Sequence, residues 1–234
     1  SEKIVYMPNS YQVNVSQLHV SDTKLSRDQL GLNSNSFVFC CFNNAYKITP
    51  KVFSCWMRIL HKVKDSQLWL LTNNDETSEN LKMEAVNQGI NANRLVFARY
   101  ESISEHLNRI KYADLFLDTR PYNAHTTSSD ALRVGLPILT LNGNSFNSRE
   151  AASILNSVNL PELITETEKE YESLAIELAT NPIKLKSIKN KLIDNLPTAP
   201  LFDTPLFTRK LESAYQTMYD KHHKGMKPEH IYVD

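Results

Sequence analysis

The feature that most constrains this chain is an alternation between short apolar runs rich in β-formers and longer stretches whose apolar residues recur every three or four positions. Such a pattern predicts parallel strands, each returned by a helix, because a tight hairpin cannot join parallel neighbours. The run at 36–43 (SFVFCCFN) is apolar almost throughout, as expected of a strand covered on both faces. Thr49 and Pro50 then suit a helix start, with Phe53, Trp56, Ile59, Leu60 and Val63 on one stripe. Residues 67–71 predict the next strand, 78–88 a helix ended by Gly89, and 94–98 another strand. Ser102 with Glu105 has the spacing of a capping box, leading through a helix to a strand at 113–118. A helix stopping near Gly135, a strand at 136–141, an Asn142-Gly143 turn and a helix at 148–156 complete the alternation. Beyond Leu163 only helical patterns are expected, at 168–180, 183–194 and 204–223. The fold class is α/β, a doubly wound and mostly parallel Rossmann-like sheet with C-terminal helices. Residues 1–35 look irregular and are expected to be a linker or the end of a preceding domain, with 36–203 the sheet domain and 204–234 a C-terminal helix and tail. A first residue other than methionine suggests a cut fragment.

Lys plus Arg equals Asp plus Glu at 26 each, so neither nucleic acid nor an anionic membrane is an expected partner, and any anion site must be local. No apolar run approaches the ~20 residues of a membrane span. Cys40, Cys41 and Cys55 have no CxxC spacing and sit among apolar neighbours, which points to reduced buried thiols in a cytoplasmic protein and to no metal. The GxGxxG fingerprint, a Walker lysine, HExxH and a G-x-S-x-G elbow are all absent. His222, His223 and His230 fall in a polar tail that reads as solvated.

The stretch 118–137 carries the clearest chemistry. An apolar strand passes through a loop with Pro121 and Asn123 into a helix that opens on Thr126, Thr127, Ser128 and Ser129. Amides in a first helical turn lack intrahelical partners and the macrodipole is positive there, so an anionic oxygen would satisfy both. The plain alternative is a capping box, with Thr127 as N-cap and Asp130 reaching back. Two further clusters follow predicted strands: Asn43, Asn44 and Lys47, and the segment 99–109 with His106 and Arg109 one turn apart. A doubly wound sheet collects such groups at one edge. There Lys47 could meet a phosphate, and a flat imidazole plus a guanidinium could grip a nucleobase. Taken singly, Lys47 reads equally as a solvated lysine, and the His106–Arg109 pair as a solvent face.

Together, FCCFNNAYKI at 39–48, SEHLNR at 104–109, ADLFLDT at 113–119 and HTTSSDAL at 125–132 resemble the catalytic C-terminal lobe of the protein O-GlcNAc transferase family, including its bacterial and SPINDLY-like relatives. The likeness extends to Trp56, Gly135-Leu136-Pro137, Ser148-Arg149, Tyr171 and Lys227-Pro228. It implies one lobe of a two-lobed GT-B glycosyltransferase, inverting and metal-independent. Such an enzyme moves a sugar, GlcNAc above all, from UDP to Ser or Thr of proteins. It also implies roles: Lys47 as the catalytic cation on the diphosphate, and the Thr126-Thr127 turn as its partner. Asp130 would hold the ribose, His106 and Arg109 the uracil, and His125 the phosphates or sugar. Asn44 stands where the family commonly has glutamine, and Ile103 where well-known members have a lysine, which implies weaker UDP binding or another donor sugar. The acceptor protein would be held by an N-terminal lobe and helical repeats that this chain lacks, so the fragment is expected to be inactive alone. A non-catalytic nucleotide-binding or interaction module, and a UDP-sugar transferase with another donor or a non-protein acceptor, are the competing readings.

Overall fold

A computed structural model describes residues 2–234. In chain order its elements are β1 (Val5–Tyr6), β2 (Phe37–Cys41), α1 (Pro50–Lys62), β3 (Ser66–Leu71), α2 (Asp75–Asn87), β4 (Leu95–Ala98), α3 (Ile103–Ile110) and β5 (Leu115–Leu117). There follow α4 (Thr126–Arg133), β6 (Ile138–Leu141), α5 (Glu150–Ser157), β7 (Ile164–Thr165), α6 (Glu168–Thr180), α7 (Pro182–Asn195), α8 (Thr204–His223) and β8 (Ile231–Tyr232). The main sheet has the order β4-β3-β2-β5-β6-β7 with every pair parallel, which is the doubly wound arrangement expected.

The central strands are buried because helices cover the sheet: α1 packs on α6 and α6 on α7, while α3 packs on α4 and α4 on α5. Phe39, Cys40 and Cys41 of β2 and Leu68, Trp69 and Leu70 of β3 are all sealed, which explains why neither strand alternates polar with apolar residues. Thr49 accepts from the Val52 amide and Pro50 occupies the first turn of α1, as the sequence implies. Gly135 ends α4 with φ +79°, a conformation a side chain would strain. The three cysteines are free and buried, and burial pushes the Cys55 thiol up to about 12.

Two strands depart from the helical-only expectation beyond Leu163. β7 adds an edge to β6, with Thr140 opposite Ile164, and at two residues it is too short to show a period. β8 pairs in parallel with β1, so the tail is structured. Tyr6 stacks on Tyr232 with centroids 4.6 Å apart, and the Ile4 amide donates to Nδ1 of His230 at 3.1 Å, although His230 stays exposed as expected.

The N-terminal segment lacks regular structure over most of its length, yet it is tied down as a strap across the lobe. Arg133 donates to the carbonyls of Val15 and Ser16, and Asn108 to that of Thr23. Leu18, Val20 and Leu30 pack on the core and Leu32 is buried within it. Arg27 makes the strongest tie, donating to the carbonyls of Tyr112 (3.1 Å) and Ser36 (2.8 Å) and to the Asp114 carboxylate (2.7 Å). Charge-assisted bonds of this kind contribute ~1.5–3 kcal/mol each when one partner is removed. Arg27→Ala should therefore lower the unfolding free energy by about 2 kcal/mol in urea titrations; an unchanged midpoint would mean that the strap is not held there.

Glu150, the first residue of α5, is 3% exposed and its Oε2 has no partner. Burial lifts its carboxyl from 4.5 to about 7, against a smaller opposing pull from Arg149. Because the folded value lies above the unfolded one, the folded chain keeps a proton that the unfolded chain releases between those two pH values. Stability therefore falls as pH rises through that window. Glu150→Gln removes the titration. Its melting temperature should match the parent near pH 5 and exceed it by roughly 2–4 °C at pH 8; equal melting at pH 8 would contradict this.

Candidate active site

The chain winds outward from β2 through β3 to β4, then crosses back to β5 and outward to β7, so the order reverses between β2 and β5. The crevice beyond their carboxyl ends is where such sheets bind ligands. A buried carboxylate organises it. Asp118, just past β5, accepts from the Thr119 amide (2.8 Å), the Ala124 amide (2.7 Å) and Asn43 Nδ2 (3.3 Å) on one oxygen, and from Thr140 Oγ1 (2.7 Å) on the other. Its backbone carbonyl accepts from Tyr171 of α6 at 3.0 Å. Burial raises the Asp118 carboxyl to about 6, with the hydrogen bonds from Thr140, Ala124, Thr119 and Asn43 acting the other way. These bonds gather the ends of β2, β5 and β6 and fold the 118–125 loop back on itself.

That loop aims α4. The helix begins at Thr126 with His125 at the capping position, φ −113° and ψ −96°, and no side chain caps it. The Ser128 and Ser129 amides turn back to the His125 carbonyl at 3.0 and 3.3 Å, while the Thr126 and Thr127 amides have no partner among the described residues. The capping-box alternative therefore does not hold. Thr127 is not the N-cap, because its hydroxyl donates instead to Asn43 Oδ1 at 2.5 Å, and Asp130 makes no return bond. Lys47, in the loop after β2, sends its ammonium to the Asn123 carbonyl at 2.9 Å, with the Tyr122 ring 3.9 Å away. It is half-buried rather than solvated, and burial lowers its pKa while Asp118 pulls it up. The lysine and the unpaired amides thus share one loop although they are far apart in sequence.

His106 and Arg109, both on α3, approach Phe42 at the end of β2. Phe42 meets the imidazole edge-on, centroids 5.3 Å apart, and neighbours Asn43, which binds Thr127. An Arg109 guanidinium nitrogen donates to His106 Nδ1 at 3.1 Å. Burial, then the Arg109 charge, lowers His106 to about 4, so its ring is neutral at physiological pH. Arg109 is only 6% exposed, its Nε is unpartnered, and no carboxylate pairs with it among the described residues. A solvent-facing reading of this pair is thereby excluded; the site holds a buried cation with no carboxylate in contact, Glu101 acting on it only at longer range, which favours an anionic or electron-rich ligand.

Asp130 lies one turn into α4. Its carboxyl is raised to about 6 by burial, against Arg133, and no hydrogen bond engages it. Asn44 is exposed, and its side chain accepts from the Tyr46 amide at 3.4 Å, stabilising the short turn at Ala45–Lys47. His125 lies beside Tyr122, and burial and Lys47 lower its pKa. Sequence reasoning placed Asn43 in a candidate cluster without its bonds to Asp118 and Thr127, and missed Asp118, Tyr122 and Tyr11 as parts of this site. A polar residue ending an apolar run is the signal that could have found Asp118. Cys55, Glu168 and Glu172 are close enough to suggest a metal site, but Arg58 pairs with both carboxylates and Arg120 reaches Glu168 at 2.6 Å, making it an ion-pair network.

A model of glycosyl transferase family 41 matches residues 12–211. The whole chain is 35% identical to 24% of the length of the probable UDP-N-acetylglucosamine–peptide N-acetylglucosaminyltransferase SEC of Arabidopsis thaliana. Over 88% of its length it is 35% identical to 18% of the UDP-N-acetylglucosamine–peptide N-acetylglucosaminyltransferase of Caenorhabditis elegans. An O-GlcNAc transferase structure from Thermobaculum terrenum superposes with a TM-score of 0.76 and 28% identity, covering 91% of this chain and 39% of that one. The chain thus spans about a quarter or less of these curated relatives. With the family pattern running through nearly all its elements, from the strap to α8, the chain belongs to glycosyl transferase family 41.

Proposed function

We propose that this chain is the UDP-sugar-binding lobe of an inverting, metal-independent glycosyltransferase that moves GlcNAc from UDP to Ser and Thr hydroxyls of proteins. The observation that carries the reading is the Lys47 ammonium bound to the Asn123 carbonyl, in the loop that leads directly into the unpaired first-turn amides of α4. The names of the two relatives and of the superposed structure supply the donor and acceptor classes. Lys47 and the Thr126 and Thr127 amides bind the diphosphate, and His125 borders it. Asp130, with a carboxyl free of other bonds, accepts from the ribose hydroxyls. The neutral His106 ring and the Arg109 guanidinium hold the uracil.

In the transfer, the acceptor oxygen bonds to the anomeric carbon as the bond to the β-phosphate oxygen breaks, leaving its electron pair on UDP. The acceptor proton departs on the acceptor side. Donors fixed in a partly dry site stabilise the growing diphosphate charge without reorganising, which is how they lower the barrier. Acceptor binding belongs to parts of the whole protein outside this chain, so the lobe alone binds nucleotide without turnover. We place the activity in the cytoplasm, where the buried thiols stay reduced. No helix among the described residues is long and apolar enough to cross a membrane.

One observation favours a second reading, nucleotide binding without transfer: Ile103, 48% exposed at the start of α3, is apolar where the family resemblance implies a nucleotide-binding lysine. Calorimetry separates the cases. The chain should bind UDP and UDP-GlcNAc with or without EDTA, and Lys47→Ala should weaken UDP by about 10-fold or more, the loss of one charge-assisted bond. In the whole protein the same change should remove most turnover. Absence of binding to any UDP-sugar, or near-parental affinity in Lys47→Ala, would sink the reading; binding without transfer by the whole protein would favour the second.

A further inference from the structure

The strap brings one side chain into the crevice. The Tyr11 hydroxyl lies 3.0 Å from His125 Nδ1, with the phenol ring edge-on to the imidazole and T-shaped against Phe146, centroids 5.1 Å apart. Its backbone neighbours are anchored on both sides. Gln12 Nε2 donates to Ser129 Oγ of α4 at 3.1 Å, and Ser153 Oγ of α5 donates to the Asn9 carbonyl at 3.4 Å. The other imidazole nitrogen, Nε2, is buried and has no partner. The ring lies 5.2 Å from that of Tyr122, the same ring that the Lys47 ammonium touches.

We propose that Tyr11 is a positioning residue: by donating its O–H to Nδ1 it fixes neutral His125 as the Nε2–H tautomer, so that the imidazole presents a donor beside Lys47 to an anionic oxygen of the nucleotide. The inference rests on the diphosphate reading of this crevice. Tautomer choice by the bond at the opposite ring nitrogen is general for histidine. A lone pair at Nε2 would face the same anion as the ammonium and the Thr126 amide, and would repel it. An N–H there makes all three groups donors. The phenol supports this assignment: burial and the nearby Glu150 charge raise its pKa, so it keeps the proton it donates. The assignment also gives the strap a part in the site that its irregular sequence does not advertise.

The test is nitrogen NMR of the 234-residue chain labelled in histidine, with His125→Gln used only to assign the signal. The parent should show a pyrrole-type Nε2 and a pyridine-type Nδ1 for His125. Tyr11→Phe, which keeps the ring against Phe146, should move both nitrogens toward a tautomer mixture while the other histidine signals stay in place, and should weaken UDP by about 3–10-fold, one neutral hydrogen bond. A protonated Nδ1 in the parent, or unchanged His125 shifts in Tyr11→Phe, overturns the proposal. Failure of the parent to bind UDP at all would instead defeat the diphosphate reading, with the nitrogen shifts still deciding the tautomer.

Discussion

The crevice depends on one buried carboxylate. Asp118 accepts from two amides of its own loop and from side chains on two neighbouring strand ends, Asn43 and Thr140. A carboxylate taken out of water is tolerated only when its lone pairs are met, and here meeting them forces the chain between β5 and α4 into a tight return. The same return presents the Asn123 carbonyl to Lys47 and the open amides of α4 to the crevice. Asn43 transmits the constraint: its amide nitrogen donates to Asp118 and Thr119, and its oxygen accepts from Thr127, tying β2 to the helix start.

A chain with balanced charge can still build a strongly positive site if its cations are kept from its anions. Several arginines and lysines here are paired with carboxylates: Arg58 with Glu168 and Glu172, Arg99 with Asp75, Lys191 with Glu162. Lys47 and Arg109 are not. Lys47 binds a carbonyl and an aromatic face, and Arg109 a neutral imidazole, so neither forms a contact ion pair, although Asp118 and Glu101 act on them from farther off. Partial burial costs each of them hydration, and a bound diphosphate or base restores what burial removed. The positive ends of the α4 amides add to the same field.

The layered α/β fold was legible in the sequence because its strands are covered on both faces and read as continuous apolar runs, and because Thr49, Ser102 and Gly135 mark helix ends. The short strands β7 and β8 were not, since two residues display no period and their pairing is decided by distant partners. Within the site, hydroxyls opening a helix were visible, and so was the spacing of His106 and Arg109. The choice between a capped helix and an open one was not visible. Thr127 satisfies the pattern for an N-cap, and only the three-dimensional arrival of Asn43 gives its hydroxyl a better acceptor. Tyr11 was equally hidden, because a strap without regular structure carries no periodicity from which to infer what it touches.

The position of α4 is consequently determined from two sides. Asn43 holds its first turn toward β2, while the strap grips its opposite flank through Gln12 on Ser129 and through the Val15 and Ser16 carbonyls on Arg133. Arg133 also lies 4.2 Å from the Phe202 ring, so the far end of the helix is fixed against the segment that leads into α8. A helix dipole stabilises an anion only if its N-terminus stays aimed at that anion, since the effect fades within the first turn. Restraint at both ends removes the rocking that would misalign it. On this argument the strap belongs to the site's electrostatics as much as to its packing: whatever displaces residues 9–16 alters both the His125 contact and the aim of the Thr126 amide.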